Sequence, residues 1–175
     1  NTPGPRRLKA KRSNLTMAFI TKKQSYARRL TGAPFGDMLA ISDFNLTTNA
    51  SGVAALSDTA TAVAANDIVR LGILPAGLKL LDYIGTISDA FTATTTFDLG
   101  FSYVDGVDST DVPQNAAYFA SGASLATAAV LRKATTTAPL TLPKDAYLIL
   151  TNKTAAQSAA GVIDIAVIGQ AVGAP

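Results

Sequence analysis

Few side chains in this sequence could carry chemistry, and most of the familiar ones are missing. There is no Cys, His, Trp or Glu, so all twelve acidic residues are Asp. Without thiolate or imidazole, zinc, copper, haem and iron–sulfur centres lose their usual ligands. A Ser-His-Asp or Cys-His nucleophile cannot be assembled, and the commonest general acid–base group is absent. Proton transfer would fall to Asp, Lys or Tyr alone. The densest acidic group is Asp105, Asp108 and Asp111 in the run DGVDSTD. Clustered carboxylates attract hard cations such as calcium. The spacing is not that of an EF-hand loop, however, and the closing Glu does not exist, so a solvated turn is the simpler expectation. No Asp pair has a spacing that implies a glycosidase, and no glycine-rich phosphate loop with its lysine is present. Asn14, Asn45, Asn49 and Asn152 each begin an Asn-x-Ser/Thr triplet. Such triplets arise by chance in a chain rich in Asn, Ser and Thr, and no secretory-type apolar segment accompanies them. No catalytic residue, metal or cofactor is expected.

Charge is more informative. Residues 1–30 hold nine Lys or Arg and no acid, whereas residues 31–175 hold six bases against twelve Asp, a net −6. The chain is an acidic body behind a basic N-terminal arm. Such an arm seeks a polyanion or an acidic protein surface. Residues 1–36 are expected to form this arm and 37–175 a single domain. Met17 opens more ordinary sequence and is expected to be the natural start, with residues 1–16 upstream of it. The contact residues of the arm are expected to be Lys22, Lys23, Tyr26, Arg28 and Arg29. One Tyr among these bases is a thin stacking platform for nucleic acid, so docking on protein is favoured over DNA. No run of about 18 apolar residues is present to span a membrane as a helix.

The elements that must carry these residues read as strands. Phe97, Leu99, Phe101 and Tyr103 alternate with Thr96, Asp98, Gly100 and Ser102, the period of a strand with one buried face. Asp67–Ile73 and Leu78–Ile87 are β-prone runs around Leu74-Pro75-Ala76-Gly77, where Pro75 and Gly77 suit a tight turn. Met38–Leu46 is the first strand. A short strand near Val53–Leu56 and a helical turn in the Ala run 60–65 are weaker expectations. Residues 113–132 read as a long connection with short elements and some helical content. Ala146–Thr151 and Gly161–Val172 are expected to pair as a closing antiparallel hairpin across a polar loop. Seven or eight strands at this spacing imply an all-β antiparallel sandwich.

Three stretches resemble a family of small virion proteins of tailed bacteriophages, the head decoration or cement proteins. They are DIVRLGILPAGLKLLD, TTTFDLGFSYVDGVDSTD and KDAYLILTNKTAAQSAAGVIDIAVIG, within about residues 38–172. The resemblance implies a jelly-roll-like β-sandwich on the capsid exterior, bound to major capsid protein and to itself as a dimer or trimer at local symmetry axes. It implies no catalytic residue. It gives the basic arm a task, which is to reach neighbouring capsid subunits. A tail- or fibre-associated virion module and a nucleic-acid-binding protein are the alternatives.

Overall fold

A computed structural model describes residues 19–21 and 38–173. They form ten strands: β1 (Phe19–Thr21), β2 (Met38–Thr48), β3 (Ile68–Leu74), β4 (Leu78–Asp89), β5 (Thr96–Tyr103), β6 (Asn115–Ser124), β7 (Ala129–Arg132), β8 (Leu140–Thr141), β9 (Ala146–Asn152) and β10 (Gly161–Ala171). No helix occurs among the described residues.

The pairing has a simple logic. β5 pairs β6, β4 pairs β7 and β8, β3 pairs β9, and β2 pairs β10, all antiparallel. The chain is thus one long ribbon folded at the β5–β6 connection, with later strands returning along earlier ones. Rolling this ribbon brings β10 against β4 and β9 against β5. Two sheets result, in the orders β1-β3-β9-β5-β6 and β2-β10-β4-β7, with β8 beside β4. Apart from β1 and β8, these are two four-stranded sheets wound from one ribbon, which is a jelly roll. The expected all-β, jelly-roll-like sandwich is borne out. One pair departs from antiparallel: β1 lies parallel to β3 at the sheet edge.

The core fills the space between the sheets. Phe97, Leu99 and Phe101 are fully buried, and Leu148, Leu150, Ile163, Ile165 and Val167 meet them in one cluster. Each such side chain contributes roughly 1.5–3 kcal/mol on burial. Aromatic rings concentrate at β6, where Tyr118 and Phe119 stand edge to face at 4.8 Å between centroids. The Tyr118 hydroxyl donates toward Leu80 O at 3.1 Å and Ala138 O at 3.0 Å, and so ties one sheet to the other.

Three expectations need correction. β9 and β10 are not a hairpin. They lie in different sheets, and residues 153–160 cross between them. That crossing is anchored by polar groups: Asn152 is buried, donates to Ala64 O and Ala155 O, and accepts from Gln157 Nε2. Residues 113–132 are not a loose connection with helical content. They supply β6 and β7, although four Ala, a Gly and two Ser leave β6 without a strand-like composition. The segment between β2 and β3 contains neither a strand at Val53–Leu56 nor a helical turn, but isolated bridges such as Thr48–Ala54 and Val53–Ala62.

Candidate functional site

The acidic loop DGVDSTD is the outer bend of the ribbon, between β5 and β6. Its carboxylates are engaged in shaping it. Asp105 Oδ1 accepts Val107 N–H at 3.0 Å, and Oδ2 accepts Lys144 Nζ at 2.8 Å. Asp108 Oδ1 accepts the N–H groups of Ser109 at 2.8 Å and Gln114 at 2.7 Å. Lys144 Nζ also donates to Val107 O at 2.6 Å and lies over the Tyr103 ring, 4.6 Å from its centroid. The Lys144 hydrogen bond, with that of Val107 N–H, holds the Asp105 carboxyl below its ordinary pKa. The N–H groups of Gln114 and Ser109 do the same for Asp108. Among the described residues, no group of three or more acidic side chains is arranged to hold a metal ion.

This bend lies at one end of the sandwich, with three other segments knitted to it. Val104 N–H donates to Asp145 O at 3.1 Å, and Asp145 Oδ1 accepts Ala76 N–H at 2.9 Å. The β3–β4 turn at Leu74–Leu78 is therefore joined to the β8–β9 turn. Gly77 there takes φ 77°, as its place in the turn requires. Val172 N–H donates to Gly77 O at 3.0 Å, and Gln170 is the register partner of Met38. The end of β10 and the start of β2 complete the same face.

The face carries apolar side chains in water. Met38 is 61% exposed, Val107 62%, Val172 42% and Val104 40%. Four of the six large hydrophobic residues exposed among the described residues stand here. Sequence reasoning did not single these residues out, because each sits alone beside a turn and only the folded connections bring them together. Met38 is also the first residue of β2. The arm residues Lys22, Lys23, Tyr26, Arg28 and Arg29 lie outside the described residues.

Among the described residues, the two sheets end in β1 and β6 and in β2 and β7. β7 exposes Val130 (69%) on the edge of one sheet. Its Arg132 forms an ion pair with Asp82, whose carboxyl also accepts the N–H groups of Lys133 and Tyr83. Burial alone would raise the Asp82 pKa, but these partners outweigh it and lower it. β6 forms the outer edge of the other sheet. Among the described residues, no helix is long and apolar enough to cross a membrane. Asn152, which begins one Asn-x-Ser/Thr triplet, is buried, and Asn45 Nδ2 donates to Asp164 at 2.7 Å.

No family model and no curated protein matches the chain. A solved structure does. The body superposes on a chain from the capsid of Ralstonia phage GP4 with a TM-score of 0.60, covering 87% of this chain and 97% of that one. At 17% sequence identity, the likeness is one of fold.

Proposed function

We propose that this chain is a non-enzymatic structural protein of a bacteriophage virion, and that it serves as a decoration or cement protein bridging major capsid subunits on the head exterior. The observation that carries the proposal is the near end-to-end fold match to a component of a phage capsid. A match over 97% of that chain means the two share a whole architecture and not one motif.

The physics suits the role. A cement protein needs a stiff body and surfaces that bridge subunits. Here the body is a rolled ribbon closed by a single core. The apolar end around Met38, Val104, Val107 and Val172 offers area that water disfavours. The N-terminal segment, residues 1–36 with Lys22, Lys23, Tyr26, Arg28 and Arg29, supplies positive charge for acidic neighbours. Binding the closed shell in preference to its loosened state stabilises the shell by mass action, and repetition over a lattice adds avidity.

A cryo-EM map of the purified particle tests the proposal. Density for the jelly roll on the outer surface of the head, with the Met38–Val172 end toward the shell, is the expected result. Density in the tail, or none on the particle, would refute it. DNA retention that falls steeply with salt and disappears on deletion of the arm would favour the nucleic-acid alternative.

A further inference from the structure

We propose that the Asp105–Gly106 bond is a self-modification site, where the chain closes to a succinimide and reopens as isoaspartate, and that Lys144 is the residue that restrains it. The proposal needs no partner and stands whether or not the chain belongs to a virion.

The sequence offers such a bond once. Among all the Asp and Asn residues, only Asp105 is followed by Gly. Ring closure joins the backbone nitrogen of the following residue to the carbonyl carbon of the side chain, and a side chain on that following residue stands in the way. Gly106 has none, and nothing lies within 4 Å of where a Cβ would be. The fold then brings the reacting groups together. Asp105 Oδ1 accepts Val107 N–H at 3.0 Å, an Asx turn that folds the carboxyl back over the Asp105–Gly106 peptide. The Asp105 side chain is 51% exposed, so water has access to it.

The chemistry needs water alone. Gly106 N attacks Asp105 Cγ in its acid form. The N–Cγ bond forms, the Cγ–OH bond breaks, and the amide proton leaves with that hydroxyl as water. A second water then opens the imide. Opening at Cγ returns aspartate. Opening at the backbone carbonyl carbon of Asp105 leaves Gly106 joined through the side chain, which is isoaspartate.

Two contacts hold the native turn back. Gly106 N–H donates to Tyr103 O at 3.2 Å and must let go before its nitrogen can attack. Lys144 Nζ donates to Asp105 Oδ2 at 2.8 Å, and is itself fixed by Val107 O and by the face of the Tyr103 ring. An ammonium so placed pins the carboxyl and favours its ionised form, which has no hydroxyl to lose. The lowered pKa of Asp105 has the same cause. The other acids of the bend are poorer candidates. Asp108 precedes Ser and its Oδ1 already holds the N–H groups of Ser109 and Gln114, while Asp111 precedes Val. Isoaspartate would lengthen the backbone of the outer bend by one atom and take the carboxylate away from Lys144. Val104 and Val107 flank the bond, so the modification is a slow ageing of the exposed apolar end.

The full chain, aged in mildly acidic buffer made with heavy-oxygen water, provides the test. Each passage through the ring adds one heavy oxygen, and electron-transfer fragmentation of the peptide spanning Asp105 separates isoaspartate from aspartate. Label and isoaspartate should gather at Asp105 ahead of every other Asp. A synthetic peptide of residues 101–112, which lacks Lys144, should convert faster than the folded chain. Lys144→Ala should raise the rate in the folded chain by about two- to five-fold, the bias that an exposed ion pair supplies. Lys144→Arg should restore the slow rate, with circular dichroism unchanged in both variants. Asp105→Glu, whose ring would need one more atom, should take up no label there. An unlabelled Asp105 in the folded chain, whatever the peptide does, would overturn the site. A rate in Lys144→Ala equal to or below that of the unaltered chain would overturn the restraint by Lys144.

Discussion

Tyr118→Phe removes one oxygen from the centre of the molecule, and its effect can be worked out from the structure. Tyr118 is 1% exposed on β6. Its hydroxyl lies 3.1 Å from Leu80 O on β4 and 3.0 Å from Ala138 O in the strap between β7 and β8. A phenol has one proton to donate, so these two acceptors share a single hydrogen bond. Losing it costs about 0.5–1.5 kcal/mol net, with up to about 1–3 kcal/mol if a buried carbonyl is left unpaired. The ring contacts with Phe101 and Phe119 and the Lys133 ammonium 4.2 Å above the ring survive in Phe. A loss of about 1–2 kcal/mol is expected, which for a chain of this size lowers Tm by about 2–8 °C. Alkaline pH supplies a second signature. Burial pushes the Tyr118 phenol up to about 12, against a smaller lowering by Leu140 N–H. A folded pKa above the ordinary value of about 10 gives stability that is present below pH 10 and lost as pH rises toward 12. The variant has no such phenol to titrate, so the Tm gap between the two proteins should narrow from pH 9 to pH 11. Tyr83, also raised to about 12 by burial and by Asp82, is common to both and cancels. Differential scanning calorimetry across that range is the assay. An unchanged Tm at neutral pH, or a gap that widens with pH, would refute the assignment of this hydroxyl as a tie between the sheets.

Four further outcomes are expected. A Cβ on Gly100 would stand 2.0 Å from Asn115 O and 2.4 Å from Ala116 C, both backbone, so Gly100→Ala should cost about 3 kcal/mol or more in urea unfolding. At Gly106, with φ 72° and nothing within 4 Å, Ala should cost only about 1–2 kcal/mol from the backbone angle. Asp82, Asp105 and Asp108 all have lowered folded pKa values. The stability they add is therefore full above the ordinary Asp value of about 4 and lost as pH falls below it. Thermal melts from pH 6 to pH 2 should show a decline in that window that is smaller in Lys144→Ala. Changing Lys22, Lys23, Arg28 and Arg29 together to Gln should weaken binding to particles at low salt while leaving the Tm of the free body unchanged, as co-sedimentation and calorimetry would show.

How much was legible in the sequence depended on side-chain size and period. β5 was plain because Phe97, Leu99, Phe101 and Tyr103 are large, apolar and two apart, and all four are buried. β6 was hidden for the opposite reason. Its partner register jumps from Asn115 opposite Phe101 to Ala120 opposite Leu99, so β6 spends extra residues where β5 spends two. That bulge breaks the alternation and sets Tyr118, Phe119 and Ala120 consecutively in the core. Strand existence at β9 and β10 was readable from their β-branched and leucine runs, but their partners were not. Alternation tells which face is buried and says nothing about which strand lies alongside. The crossing depends instead on Asn152 and Gln157, polar residues whose burial no hydropathy pattern announces. The exposed apolar end was out of reach for a similar reason. Met38, Val104, Val107 and Val172 are scattered along the chain, and only the bonds through Asp145, Gly77 and Lys144 assemble them.

The measurement that bears most directly on the proposed role is the temperature at which particles release their DNA, compared with and without this protein. A dye-accessibility melt on particles stripped of the protein and then reloaded suffices. A bridging protein predicts release at a clearly lower temperature from the stripped particles and recovery on adding the chain back. Identical release temperatures in all three samples would contradict the account.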